Sequence, residues 1–160
     1  MRRQLIRGGT PFLIRLRPHF QIQNAASGHF RPIGSDTFGH AHTSLPFDQQ
    51  PLEAQAAIDA AAAAWRASGD PLWQHHAFAA WHWFFGANDR GVVLADLARG
   101  RCGDGINPRG ANENCGAESI LAFQLAHYSL IGLLRGQQGD SSGERFVGEP
   151  QRIAEPAAHT

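Results

Sequence analysis

The sequence predicts an all-α protein built from antiparallel helical hairpins. Three runs carry that prediction: an alanine-rich stretch from about Gln50 to Ser68, an aromatic stretch opened by Asp70-Pro71, and an apolar stretch from about Gly116 to Arg135. Between the second and third runs lies Arg101–Ser119, RCGDGINPRGANENCGAES, a polar, glycine-rich loop around which the rest of the chain is organised. Its glycines permit tight turns; a loop of this size is either functional or disordered, and its running into a strong helix favours function.

In chain order, residues 1–27 show no sustained period, because Gly8-Gly9 and Pro11 interrupt the apolar residues. They read as a poorly ordered N-terminal arm. A secretory signal needs an unbroken apolar core, and Arg15 breaks the best candidate at Phe12–Leu16. Residues 28–49 read as an irregular extended segment, since Pro32, Gly34, Gly39 and Pro46 forbid a regular helix. Phe30, Ile33, Phe38 and Phe47 are its expected anchors, and His40 and His42 its exposed loop histidines.

The first helix has Asp48 as its expected N-cap, Pro51 in its first turn and Glu53 where a carboxylate meets the helix dipole. Alanine, the best helix former, fills its interior, and Gly69 ends it. Asp70 then caps the second helix and Pro71 opens it. So short a turn makes the two helices antiparallel neighbours. Trp73, Phe78, Trp81, Trp83, Phe84 and Phe85 leave the second helix little polar face, so it is expected to be mostly buried. After a short apolar stretch at Val92–Leu97 and the central loop, the third helix runs to Arg135 and Gly136 stops it. Residues 137–160 are poor in apolar side chains and read as a disordered tail. The domain organisation expected is therefore an arm (1–27), one helical domain (28–136) and a tail (137–160).

Charge narrows the partners. Fourteen basic residues, all arginine, balance fourteen acidic ones, although residues 1–35 hold six arginines and no acid. A neutral chain is not drawn as a whole to nucleic acid or to a membrane. No run reads as the ~20 apolar residues of a membrane helix, and a soluble, cytoplasmic protein is expected. Cys102 and Cys115 leave three states open: two free thiols, a disulfide across the loop, or a metal ligand pair. With no CxxC, HExxH, phosphate loop or GxSxG, neither metal nor cofactor is expected.

Carboxylates at helix starts and in the loop suggest glycoside chemistry, which needs two acids facing across a bond. Asp104 and Glu118 are the acid/base candidates, with Asp48 in support. Gln49, Gln50, Glu53, Asn112, Asn114 and Ser119 are the candidates for contact with sugar hydroxyls, which want groups that both donate and accept. Trp81 and Trp83 are candidates for an apolar platform. The competing reading makes Asp48 and Glu118 ordinary capping acids and the tryptophans core.

Four ordered motifs sharpen the sugar reading: FDQQPLEA (47–54), WFFGAND (83–89), CGDG (102–105) and NENCGAES (112–119). Together with GHFRPIGSD (28–36), they resemble the closing part of a bacterial helical-toroid domain that accompanies retaining glycosyltransferases and mannoside phosphorylases. The resemblance implies a six-hairpin (α/α) architecture, here a partial toroid, and a saccharide ligand. The family commonly has NxNQGAESTL at the last motif; Cys115 replaces its Gln and Ile120 its Thr. A full toroid needs on the order of 200 residues, so the chain reads as a fragment, a remnant or a subunit completed by a partner. The alternative function is a non-catalytic module that self-associates, or completes a partner's toroid, through exposed apolar helix faces.

Overall fold

Ala54, Ala57, Ala61, Ala62 and Ala64 are buried along one helix, and the other described helices contact it. The computed structural model describes residues 10–34 and 47–141. Its helices are α1 (Thr10–Ile22), α2 (Pro51–Ser68), α3 (Pro71–Trp83) and α4 (Ala117–Ser141). Between α3 and α4 come β1 (Ala95–Asp96), β2 (Arg101–Cys102), β3 (Gly105–Asn107) and β4 (Gly110–Asn112).

The α2–α3 hairpin forms as its sequence dictates. Gly69 adopts the left-handed conformation at φ +69° and returns its N–H to the Trp65 carbonyl. The Asp70 carboxylate then accepts from the Leu72 N–H at 3.0 Å, and Pro71 occupies the first turn. Helix α4 lies against α2 and α3. Its Phe123 ring stacks on Trp81 at 5.6 Å and meets Phe84 at 5.3 Å, while the Ser129 hydroxyl donates to Asp59 of α2. Trp73, Ala77, Ala80 and Trp83 are buried, but the outer side of α3 is exposed at Leu72, His75 and His82, so that helix is less enclosed than its composition implies.

The all-α expectation is overturned. Two antiparallel two-stranded sheets, β1–β2 and β3–β4, occupy the stretch read as one loop. Each strand has only two or three residues, too few to show a period of two. The turn between β3 and β4 is Pro108-Arg109, not the Asn-Gly or Asp-Gly pair that announces a hairpin. With its strands, this architecture is mixed and is not the partial (α/α) toroid of the sequence reading.

Three helix boundaries also differ. Residues 10–22, expected within the arm, form α1 despite Pro18, and its Phe20 packs edge-on against Trp73 at 5.4 Å. The N-cap of α2 is Gln50, with no side-chain cap, rather than Asp48. Helix α4 runs through Gly136 to Ser141, and at Gly136 the Trp65 ring approaches to 3.0 Å of where a Cβ would stand. That glycine admits a neighbour's ring; it does not stop the helix. Phe38, His40, His42 and residues 142–160 lie outside the described residues.

Candidate functional site

The polar motifs fall into two groups, one closed and one open. The closed group centres on Gln49 and Asp89. Gln49 exchanges backbone hydrogen bonds with Ile106 of β3, at 3.0 and 2.8 Å, which ties the 47–50 segment to the β3–β4 hairpin. This approach requires Gly105, where a Cβ would stand 2.5 Å from the Gln49 carbonyl oxygen. The Gln49 side chain has no exposure. Its amide N–H donates to Asp89 at 2.6 Å, and its amide oxygen accepts from the Trp83 indole N–H at 3.1 Å.

Asp89 draws in the N-terminal segment. The Arg31 guanidinium holds its carboxylate through Nε at 2.9 Å and Nη2 at 2.5 Å. His29 Nε2 meets the same carboxylate at 3.0 Å, and His29 Nδ1 meets the Ser27 hydroxyl at 2.8 Å. Burial alone would raise the Asp89 pKa, but the hydrogen bonds from Arg31, Gln49 and His29, with the Arg31 charge, hold it below the usual carboxylate range. The order Ser27–His29–Asp89 is that of a nucleophile, a base and an orienting acid. Arg31 and Gln49 share the carboxylate, however, and none of the three lines the cavity between the β1–β2 and β3–β4 hairpins. The cluster is a clamp between residues 27–31, the 47–50 segment and the end of α3.

Beside it, Glu53 accepts from the Ile33 N–H at 2.6 Å and fixes the 30–34 segment. Desolvation pushes the Glu53 carboxyl above its ordinary value, against the lowering effect of the Ile33 and Gly34 backbone N–H groups. Asn88 pins the turn after α3, donating to the Trp83 and Val92 carbonyls at 2.8 and 2.7 Å.

The open group lines a cavity of about 460 Å³ between the two hairpins and the approach to α4. Val93, Leu94, Ala95 and Ala111 supply apolar surface, and Asp96, Arg101, Asn112 and Glu113 supply charge and hydrogen-bonding groups. The Arg101 guanidinium also reaches Cys115 Sγ at 3.6 Å. Asp96 binds Arg99 at 2.7 Å, and that hydrogen bond holds its pKa low. The two cysteines are free thiols; burial pushes Cys102 up to about 12, so it stays protonated at neutral pH.

Asp104 caps α4: its Oδ1 accepts from the Gly116 N–H at 2.6 Å, and its own N–H donates to the Asn114 carbonyl. Glu118 is exposed in the first turn of α4 and Ser119 is buried behind it. Asp48 is half-buried, its Oδ1 3.8 Å from the Cβ position of Gly105, so the 47–50 segment and the Asp104 loop do meet. Gln49 and Glu53 belong to the closed group, and Gln50 is the N-cap of α2. Of the nine predicted site residues, Asn112 alone lines the cavity, where its Oδ1 also accepts from the Asn114 N–H at 3.2 Å. Trp83 is buried and its indole donates to Gln49, while half-buried Trp81 stacks on Phe123; neither lines the cavity. Sequence reasoning passed over Asp89, Arg31, Asp96, Arg101 and Glu113. Asp89 had a signal, lying in WFFGAND, but its partner Arg31 is 58 positions away.

No known protein family, curated protein or solved structure matches this chain.

Proposed function

We propose that this protein binds a saccharide in the cavity between its hairpins, as a binding module and not through paired-carboxylate turnover. The composition of that cavity carries the reading. Its volume of about 460 Å³ lies within the ~300–1,000 Å³ of small-ligand clefts. Carboxylates at Asp96 and Glu113 accept hydrogen bonds, Arg101 donates and Asn112 does both, which is the mixture that hydroxyl groups require. Val93, 65% exposed, and Leu94 offer the C–H face of a sugar ring an apolar surface. The resemblance of the FDQQP, GAND, CGDG and GAES motifs to carbohydrate-active proteins points to the same ligand class.

Binding is favoured over catalysis because the expected acid and base are not paired across the cavity. Asp104 is engaged as a helix cap, and Glu118 is not among the lining residues. Calorimetric titration with mannose-, glucose- and galactose-based oligosaccharides tests the proposal. At least one should bind, with affinity lowered by Arg101→Ala and by Asn112→Ala. Absence of binding across the series, or binding indifferent to both substitutions, would refute it.

A further inference from the structure

Helix α4 has a second surface. Its inner side, through Ala122, Phe123, Ala126, Leu130 and Leu133, is buried. Half a turn away, Leu121, Leu125 and Tyr128 are 59, 45 and 68% exposed. With Glu118, Gly132 and Arg135 they recur in alternating steps of three and four residues, the spacing of a helix–helix seam.

We propose that this stripe is the interface of a homodimer, in which the α4 helices of two copies lie antiparallel. Three features select a second copy in that orientation. Glu118 stands at the N-terminal end of the stripe and Arg135 at the other, so antiparallel pairing brings Glu118 of each copy to Arg135 of its partner. The same register sets Leu121 opposite Gly132, where a Cβ would meet nothing within 4 Å, so a large side chain faces open space twice. It also sets Leu125 against Tyr128 at the centre. A parallel pair would instead oppose like charges at both ends and glycine to glycine. The seam spans about 26 Å at the helical rise per residue, and its two-fold symmetry closes the assembly at two copies.

The stretch Ala117–Gly136 also has the length and hydropathy of a membrane-crossing helix, although one third of it is buried in the fold. A lipid surface is therefore the rival occupant. The proposal is independent of the saccharide reading.

Sedimentation velocity over a concentration series tests it. The full chain should pass from 17.4 kDa to twice that mass. Leu125→Glu should return it to the monomer with its circular dichroism unchanged, because the side chain is exposed in the single copy. Glu118→Arg and Arg135→Glu should each weaken the dimer roughly tenfold by juxtaposing like charges, and the double exchange should restore it. A monomer at every concentration would overturn the proposal. So would a dimer insensitive to Leu125→Glu, or a double exchange that fails to restore association. Monomer binding to phospholipid vesicles, lost on Leu125→Glu, would assign the stripe to lipid and likewise overturn it.

Discussion

Gln49 and Asn112 look alike in the sequence: each is a carboxamide in a polar motif, and each is a plausible partner for a hydroxyl. The structure gives them opposite surroundings. Gln49 lies at zero exposure with both ends of its amide engaged, by Asp89 and by the Trp83 indole. Asn112 lies at the edge of a cavity, half-exposed, among groups that also face it. What separates them is what stands behind each. Gln49 has the end of α3 and the Arg31–Asp89 pair, which fix the amide by burial. Asn112 sits on a two-stranded hairpin with solvent on one side. A polar motif in a small domain can be a bolt or a site, and only the surrounding burial distinguishes the two.

The comparison predicts its largest effect at Asp89. Asp89→Ala leaves the Arg31 guanidinium and the Gln49 amide without their shared acceptor. It should lower stability by about 3–5 kcal/mol, the cost of breaking a buried pair from one side. Urea unfolding measures this, and a loss below about 1 kcal/mol would mean that the clamp is solvated. Next comes Gly105→Ala, whose new methyl must find room 2.5 Å from the Gln49 carbonyl oxygen. Backbone on both sides makes relief difficult, so a loss of about 1–3 kcal/mol is expected from overpacking.

The pH dependence should carry the same signature. The Asp89 pKa is depressed in the fold, so its contribution is present above the unfolded carboxylate range and is lost as pH falls through its folded value. Glu53 has the opposite sign: its pKa is raised, so its contribution is present at low pH and is lost as pH rises through that folded value. Asp89→Asn should therefore flatten the acid limb of the stability curve, and Glu53→Gln should flatten the limb just above the ordinary carboxylate pKa. Unfolding midpoints across the acidic range report both.

The smallest stability effect is expected on the open side. Glu113→Gln should change stability by no more than about 0.5 kcal/mol, as surface substitutions do, while weakening saccharide binding. A large loss of stability there would show that the cavity rim is frame and not site.

Much of the helical frame was legible. Gly69, Asp70 and Pro71 announced the α2–α3 hairpin, and the alanine run announced α2 itself. The rest was hidden for physical reasons. β1–β4 are too short to show a period, and β3–β4 turns at Pro108-Arg109. Gly136 looked like a stop, yet its missing side chain makes room for Trp65. α1 carries Pro18 and follows glycines, so local rules argued against a helix that Phe20 and Trp73 hold in place. Asp104 is conspicuous in the loop sequence, but its partner is the Gly116 N–H, a capping bond that residue spacing does not separate from a catalytic one. The clamp joins Arg31 to Asp89 across 58 positions, and no local pattern in a single sequence exposes such a pair.

The division between bolt and site is tested most directly by following backbone and side-chain resonances during titration with a binding oligosaccharide. Shifts should concentrate at Val93–Asp96, Arg101 and Ala111–Cys115, while the Gln49 amide and the Trp83 indole stay fixed. Shifts centred on Gln49, Trp83 and Asp89, with the hairpins unmoved, would contradict the account.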